Sequence, residues 1–127
     1  VHWGIERNTS PEEYQRILGQ KYIDAGADMV IGSHPHVLQG IEYYNGCPIV
    51  YSLGNFVFGS SIPKTMLLEA EFAAGDTLSP RLRLIPCTSS AGCTTAVTDP
   101  AAVQAFYREM EGLSFGLTVD ENGCVIP

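Results

Sequence analysis

Positive charge is scarce in this chain of 127 residues: Lys and Arg number 7 against 14 Asp and Glu, for a formal net charge of −7. A grip on nucleic-acid phosphates needs clustered cations, so DNA and RNA drop out as partners. Long hydrophobic runs are missing too. Nothing approaches the roughly 20 apolar residues needed to cross a bilayer, and no basic stretch followed by an apolar one opens the chain, which as written reads as soluble. Cysteine is sparse, at 4 residues, and none sits in a Cys-x-x-Cys pair, which removes the common zinc-ribbon and thioredoxin-like motifs. Cys87 and Cys93 flank the small polar stretch from Thr88 to Gly92, and this spacing is open either to a disulfide loop or to two reduced thiols. Repeats and low-complexity linkers are also lacking, and 45% hydrophobic with 17% charged residues is an ordinary globular balance, so residues 1–127 read as a single unit.

What is present is an alternation of helix and strand signals. Ser10-Pro11-Glu12-Glu13 opens a helix, with Ser10 as the cap, Pro11 at the first helical position and Glu13 completing a capping box, and Gly26 stops it. Tyr14, Ile17, Leu18, Tyr22 and Ala25 recur at helical spacing and predict the face that packs on a sheet. Ala27 to Ile31 reads as a buried strand ending at Gly32. Ile41 to Tyr44 and Ile49 to Leu53 form a hairpin through Asn45-Gly46, since both turn residues tolerate positive φ. Met66 to Phe72 and Arg81 to Ile85 predict two more antiparallel strands, joined by a turn from Ala74 to Pro80. After a small-residue stretch, Cys87 to Thr98, Asp99-Pro100 opens a second helix that runs to about Leu113 with Val103, Phe106, Tyr107 and Met110 on one side. A last hairpin, Phe115 to Val119 with Cys124 to Ile126, turns through residues 120–123. The expected class is therefore α/β, with two main helices and a mixed sheet carrying antiparallel hairpins.

All three histidines lie within the first 36 residues, each beside a predicted strand end: His2, then His34 and His36 after Gly32-Ser33. Imidazole is a good ligand for Zn, Fe or Mn, and His-x-His leaving a strand can aim two rings at neighbouring ions. The plain alternative is that His34 and His36 are ordinary polar loop residues and His2 a frayed terminus. Glu6 follows His2 at a spacing that puts a carboxylate at the mouth of the same site, or simply in solvent. Asn55, in Gly54-Asn55-Phe56, is positioned to orient a ligand or bind substrate through its amide, or to be held in a turn by its own backbone. Ser52 has no His and Asp arrangement that would make it a nucleophile. Trp3, Tyr51 and Phe56 read as core rather than cleft. Asp28 reads as a helix-to-strand loop residue, and Glu69 and Glu71, alternating with Leu68, Ala70 and Phe72, as a solvated strand face.

Three segments together, His2-Trp3-Gly4-x-Glu6, Gly26-Ala27-Asp28-x-Val30-Ile31-Gly32-Ser33-His34-Pro35-His36-Val37-Leu38-Gln39 and Tyr51-Ser52-Leu53-Gly54-Asn55-Phe56, resemble the bacterial capsule-synthesis (CapA, poly-γ-glutamate) family. The resemblance is specific over residues 1 to about 60, fades towards Pro86, and carries little beyond Cys87. That family is similar to calcineurin-like metallophosphatases. The resemblance implies the C-terminal part of a four-layer metallophosphatase-like α/β sandwich and a role in capsule or poly-γ-glutamate biosynthesis. It implies that His2, His34 and His36 are metal ligands and catalytic residues; Glu6 as a further catalytic group and Asn55 on the substrate side are candidates from their positions alone. Divalent Mn, Zn or Fe is the implied cofactor, two ions in a complete domain. The first-half Asp, His and Asn ligands of such domains have no counterpart here, so the chain by itself is expected to hold an incomplete site and to be inactive. The implied reaction is hydrolysis of a phosphoester or of an anionic polymer. The rival implication is a non-catalytic scaffold that binds polymer or other subunits of a capsule synthesis complex. In either case the resemblance places the full-length protein at the cell surface or the outer side of the membrane. An edge and an apolar face left uncovered predict a homodimer of this chain.

Overall fold

A computed structural model describes residues 1–59, 61–73 and 79–127. The first helix, α1, spans Glu13–Asp24, and its N-cap is Glu12 rather than Ser10. Glu12 and Gln15 close the capping box on each other's backbone, which displaces the start by two residues from the Ser10 signal. The helix also buries a different face from the one its apolar residues predict. Gln15, Gly19 and Ile23 point inward, while Tyr14, Ile17, Leu18 and Tyr22 stay 37–45% exposed. Gly19 allows the close approach, since a Cβ there would lie 2.9 Å from Ile49 Cγ2.

Beneath α1 lies a three-stranded sheet of β1 (Val30–Ile31), β2 (Ile41–Tyr44) and β3 (Cys47–Val50), in the order β1-β3-β2. β3 runs parallel to β1 and antiparallel to β2. Tyr44 pairs with Cys47, so Asn45-Gly46 is a two-residue turn with φ of 51° and 80°, the mirror-image turn that suits strand twist. The third strand thus begins at Cys47, before the expected Ile49. Residues 1–3 add a further parallel line beside β1: Ser33 N–H donates to Val1 O (2.9 Å), and Trp3 N–H to Ser33 O (3.0 Å).

Side chains alternate across this sheet. Trp3, Val30, Cys47, Ile49 and Tyr51 join Ile23 in the cluster under α1. Leu38, Ile41 and Val50 face the other way, into a cluster with Met66, Leu82, Leu84, Phe106, Tyr107 and Met110. Those partners come from β4 (Ile62–Glu71), β5 (Arg81–Ser90) and α2 (Pro100–Leu113). The result is an α/β arrangement with two helices and mixed and antiparallel sheets.

The second sheet has the order β4-β5-β6, all antiparallel, with β6 at Cys93–Ala96. Both β4 and β5 are longer than expected, and β6 occupies what read as a small-residue stretch. Ala91 and Gly92 turn the chain with φ of 51° and 76°. Cys87 faces Ala96 and Cys93 faces Ser90, so the two thiols occupy different rungs and are not bridged. The expected turn from Ala74 to Pro80 falls largely on residues 74–78, which lie outside the described residues. Asp99 caps α2 by accepting from Ala102 N–H (2.8 Å), with Pro100 at the first helical position. β7 (Thr118–Val119) and β8 (Val125–Ile126) complete the expected last hairpin in shorter form. Glu69 and Glu71 are exposed, Glu69 receiving Arg83. Among the described residues no helix is long and apolar enough to cross a membrane.

Candidate functional site

Residues 1–3, β1 and β3 run parallel, so the loops that follow them emerge on one side of the sheet. The crevice outside the carboxyl ends of parallel strands is where open α/β sheets bind ligands. The first loop supplies His2 and Glu6, the second His34 and His36, the third Asn55.

Local packing fixes each loop. Gly32 ends β1 because the indole of Trp3 crosses it to reach Tyr51 O (2.8 Å). A Cβ on Gly32 would sit 2.2 Å from both Trp3 Nε1 and Tyr51 O, so only glycine fits beneath this strap. Beyond it, His34 and His36 take φ of 105° and 62°, a region costly for any residue with a Cβ, on either side of the buried Pro35. Pro35 O accepts Arg7 N–H (2.7 Å), and Gly4 N–H reaches Tyr14 Oη (2.5 Å), which ties the first loop to the second and to α1.

Behind the loops lies a buried amide network. Gln15 Nε2 donates to Gln39 Oε1 (3.0 Å), Gln39 Nε2 donates to Asn8 O (2.9 Å), and Glu12 N–H donates to Gln15 Oε1 (2.8 Å). Both glutamines are fully buried with their amides engaged, the condition under which a buried polar group fixes one geometry at little cost. A second network centres on Glu42, buried in the middle of β2. Its carboxylate accepts from Arg16 (2.9 and 3.3 Å), Gln20 (2.8 Å) and Tyr51 Oη (2.8 Å). Burial pushes the Glu42 pKa up, but the bonds from Arg16, Tyr51 and Gln20 outweigh it and hold the carboxyl below its ordinary value. Burial and the Glu42 carboxylate raise Tyr51 well above the usual phenol range. Arg16 also stacks on Phe115, 4.4 Å from the ring centre.

The site residues converge. Donor atoms of Glu6, His34 and His36 lie within 4.8 Å of one another. His2 lies beside this group, its ring 4.4 Å from that of His34, and the His34 and His36 rings are 5.9 Å apart. Asn55 Oδ1 is 2.7 Å from His36 Nδ1. With the amide oxygen accepting from Nδ1–H, the contact would leave the Nε2 lone pair for a metal ion, the arrangement a histidine ligand needs. Two imidazoles and a carboxylate suit a borderline divalent ion of the Zn, Fe or Mn kind. Glu6 thus lies within reach of the histidine donor atoms, and Asn55 both contacts His36 and lines the cavity beside it. Ser52 donates to Val37 O (2.7 Å) and is fully buried, a structural role. Trp3 and Tyr51 are core, whereas Phe56 is 50% exposed. Sequence reasoning missed Gln15, Gln39 and Glu42, whose partners lie 9 to 31 residues away. The Gln39 in the second motif was the one available signal.

The family model for the bacterial capsule synthesis protein PGA_cap matches residues 1–60, the stretch that carries all five site residues. The PGA biosynthesis protein CapA of Bacillus subtilis is 53% identical over 64 residues, 50% of this chain and 17% of that protein. The capsule biosynthesis protein CapA of Bacillus anthracis is 34% identical over 111 residues, 87% of this chain and 27% of that protein, so likeness extends well past the motifs. A probable polyglutamine synthesis accessory protein of Mycobacterium tuberculosis is 30% identical over 97 residues, 68% of this chain and 25% of that protein. The chain thus spans about a quarter or less of the length of these relatives. On these matches and on the motifs that line its site, the chain belongs to the bacterial capsule synthesis (CapA, poly-γ-glutamate) protein family.

Proposed function

We propose that the chain carries the histidine-bearing part of a metal-dependent, hydrolase-like site in a protein of capsule or poly-γ-glutamate biosynthesis. The observation behind this reading is the grouping of Glu6, His34 and His36 donors within 4.8 Å at the carboxyl ends of parallel strands. His34, His36 through Nε2, and Glu6 are the proposed ligands, with His2 completing the set. Asn55 is the positioning residue that holds His36. In this reading the layers described above belong to a four-layer metallophosphatase-like sandwich, and residues beyond these 127 supply the other ligands of a two-ion site. Mn, Zn or Fe bound there would supply Lewis acidity and an activated water for attack on an acyl or phosphoryl centre. An anionic polymer or a phosphoester is the substrate class, and the relatives' names favour the polymer.

Calorimetric titration of Mn²⁺ and Zn²⁺ tests the site directly. Binding should fall by at least about tenfold in His34→Ala, as expected for loss of a ligand. Equal affinity in the variant would overturn the assignment. A scaffold role is the second reading, favoured by the exposed row of Tyr14, Ile17, Leu18 and Tyr22 on α1, an apolar face suited to self-association or to subunits of a synthesis complex. Full-length protein separates the two: polymer-related activity that survives His34→Ala leaves the scaffold standing.

A further inference from the structure

A cavity of about 300 Å³ opens directly beside the histidine group. His36, Asn55, Lys64 and Glu109 all line it, and Leu38, Ile62 and Leu113 add hydrocarbon to its wall. Lys64 is the one Lys or Arg among these lining residues. Its ammonium meets both oxygens of Glu109, at 2.8 and 2.5 Å, in a pair whose side chains are 57% and 41% exposed. So exposed an ion pair contributes little, and an incoming anion can take the place of Glu109 at small cost.

The geometry points to a substrate subsite here, taking a carboxylate on a short aliphatic stem, with Lys64 as the cation that receives it. This deepens the metal-site reading and rests on it for placing the reacting bond near His36. The chain carries a net charge of −7, so an anionic ligand is repelled by the surface at large and needs a local cation to be held. Lys64 supplies it in a cavity whose wall is partly hydrocarbon, which suits a carboxylate carried on a methylene stem, as in a glutamyl unit. At roughly 300 Å³ the cavity is at the small end of ligand sites, with room for about one or two such units rather than a longer segment.

Titration of tri-γ-glutamate into the full chain, with Mn²⁺ and again with EDTA, tests the subsite. Lys64→Gln should weaken binding about tenfold in both conditions. Glu109→Gln should tighten it by freeing the ammonium. A form of the peptide with its side carboxylates amidated should not bind. The subsite is overturned by no binding to the unaltered chain, by Lys64→Gln leaving affinity unchanged, or by Glu109→Gln weakening it as much as Lys64→Gln does. Inorganic phosphate bound more tightly than the peptide, with the same dependence on Lys64, would overturn the carboxylate assignment. The metal reading fails separately, if Mn²⁺ does not bind or if His34→Ala binds it equally well. Lys64-dependent peptide binding in EDTA would then still support the subsite.

Discussion

The two faces of the central sheet are held by different chemistry. Towards α1, a small apolar cluster is interleaved with hydrogen-bonded polar groups: the Gln15–Gln39 amides and the Glu42 carboxylate with its three donors. Towards β4, β5 and α2, the contact is hydrocarbon from Leu38 and Ile41 through Leu84 to Met110 and Val125, and among its fully buried members Tyr107 adds one long bond to Leu84 O (3.5 Å). Apolar burial is strong but non-directional, whereas satisfied polar groups are weaker and select one geometry. The hydrocarbon face is therefore expected to set stability, and the polar face to set where the histidine loops stand.

The sharpest way to break this division is Met110→Ala, which empties a fully buried position in the hydrocarbon cluster. Urea unfolding should show a loss of about 2–5 kcal/mol. Mn²⁺ affinity, measured well below the melting temperature, should stay unchanged, and a parallel fall would mean that both faces support the loops. On the polar side, Glu42→Gln removes the charge from four hydrogen bonds, and the half-exposed Arg16 tempers the cost to about 1–3 kcal/mol. The pH dependence has a definite sign. The folded Glu42 pKa lies below the unfolded one, so its contribution is present above about pH 4.3 and is lost as pH falls through the depressed value. Melting curves between neutral pH and pH 3 should show a gap between the native protein and Glu42→Gln that narrows towards acid. A constant gap would remove the linkage. The smallest effect is local: Asn55→Ala should lower Mn²⁺ affinity by about tenfold, since His36 loses the side chain that orients its ring, while the melting temperature barely moves.

Signals confined to neighbouring residues were legible in the sequence. Asn45-Gly46 gave its hairpin, Asp99-Pro100 its helix start, and the histidine, glutamate and asparagine positions converge in space. What periodicity misread was α1. Its buried face is chosen by an amide whose partner is 24 residues away and by a glycine that admits Ile49, so the apolar residues were left outside. Hydrophobic patterning has no means of seeing a polar side chain that is satisfied at long range. The β6 hairpin escaped because Ala91-Gly92 lacks the Asn or Asp that usually marks such a turn. Lys64 carried no local mark at all, being one residue of an ordinary strand until the cavity shows what it faces.

The left-handed backbone at His34 and His36 bears on timing. Residues with a Cβ held at φ of 105° and 62° on either side of a buried proline store their conformational cost in the folded chain. If a cation binds there as proposed, the backbone of this segment is already set, so the entropy of arranging it is spent during folding and not during binding. A receptor prepared in this way is expected to take up its ion at a rate set by water exchange on the ion, with no slow protein rearrangement to follow.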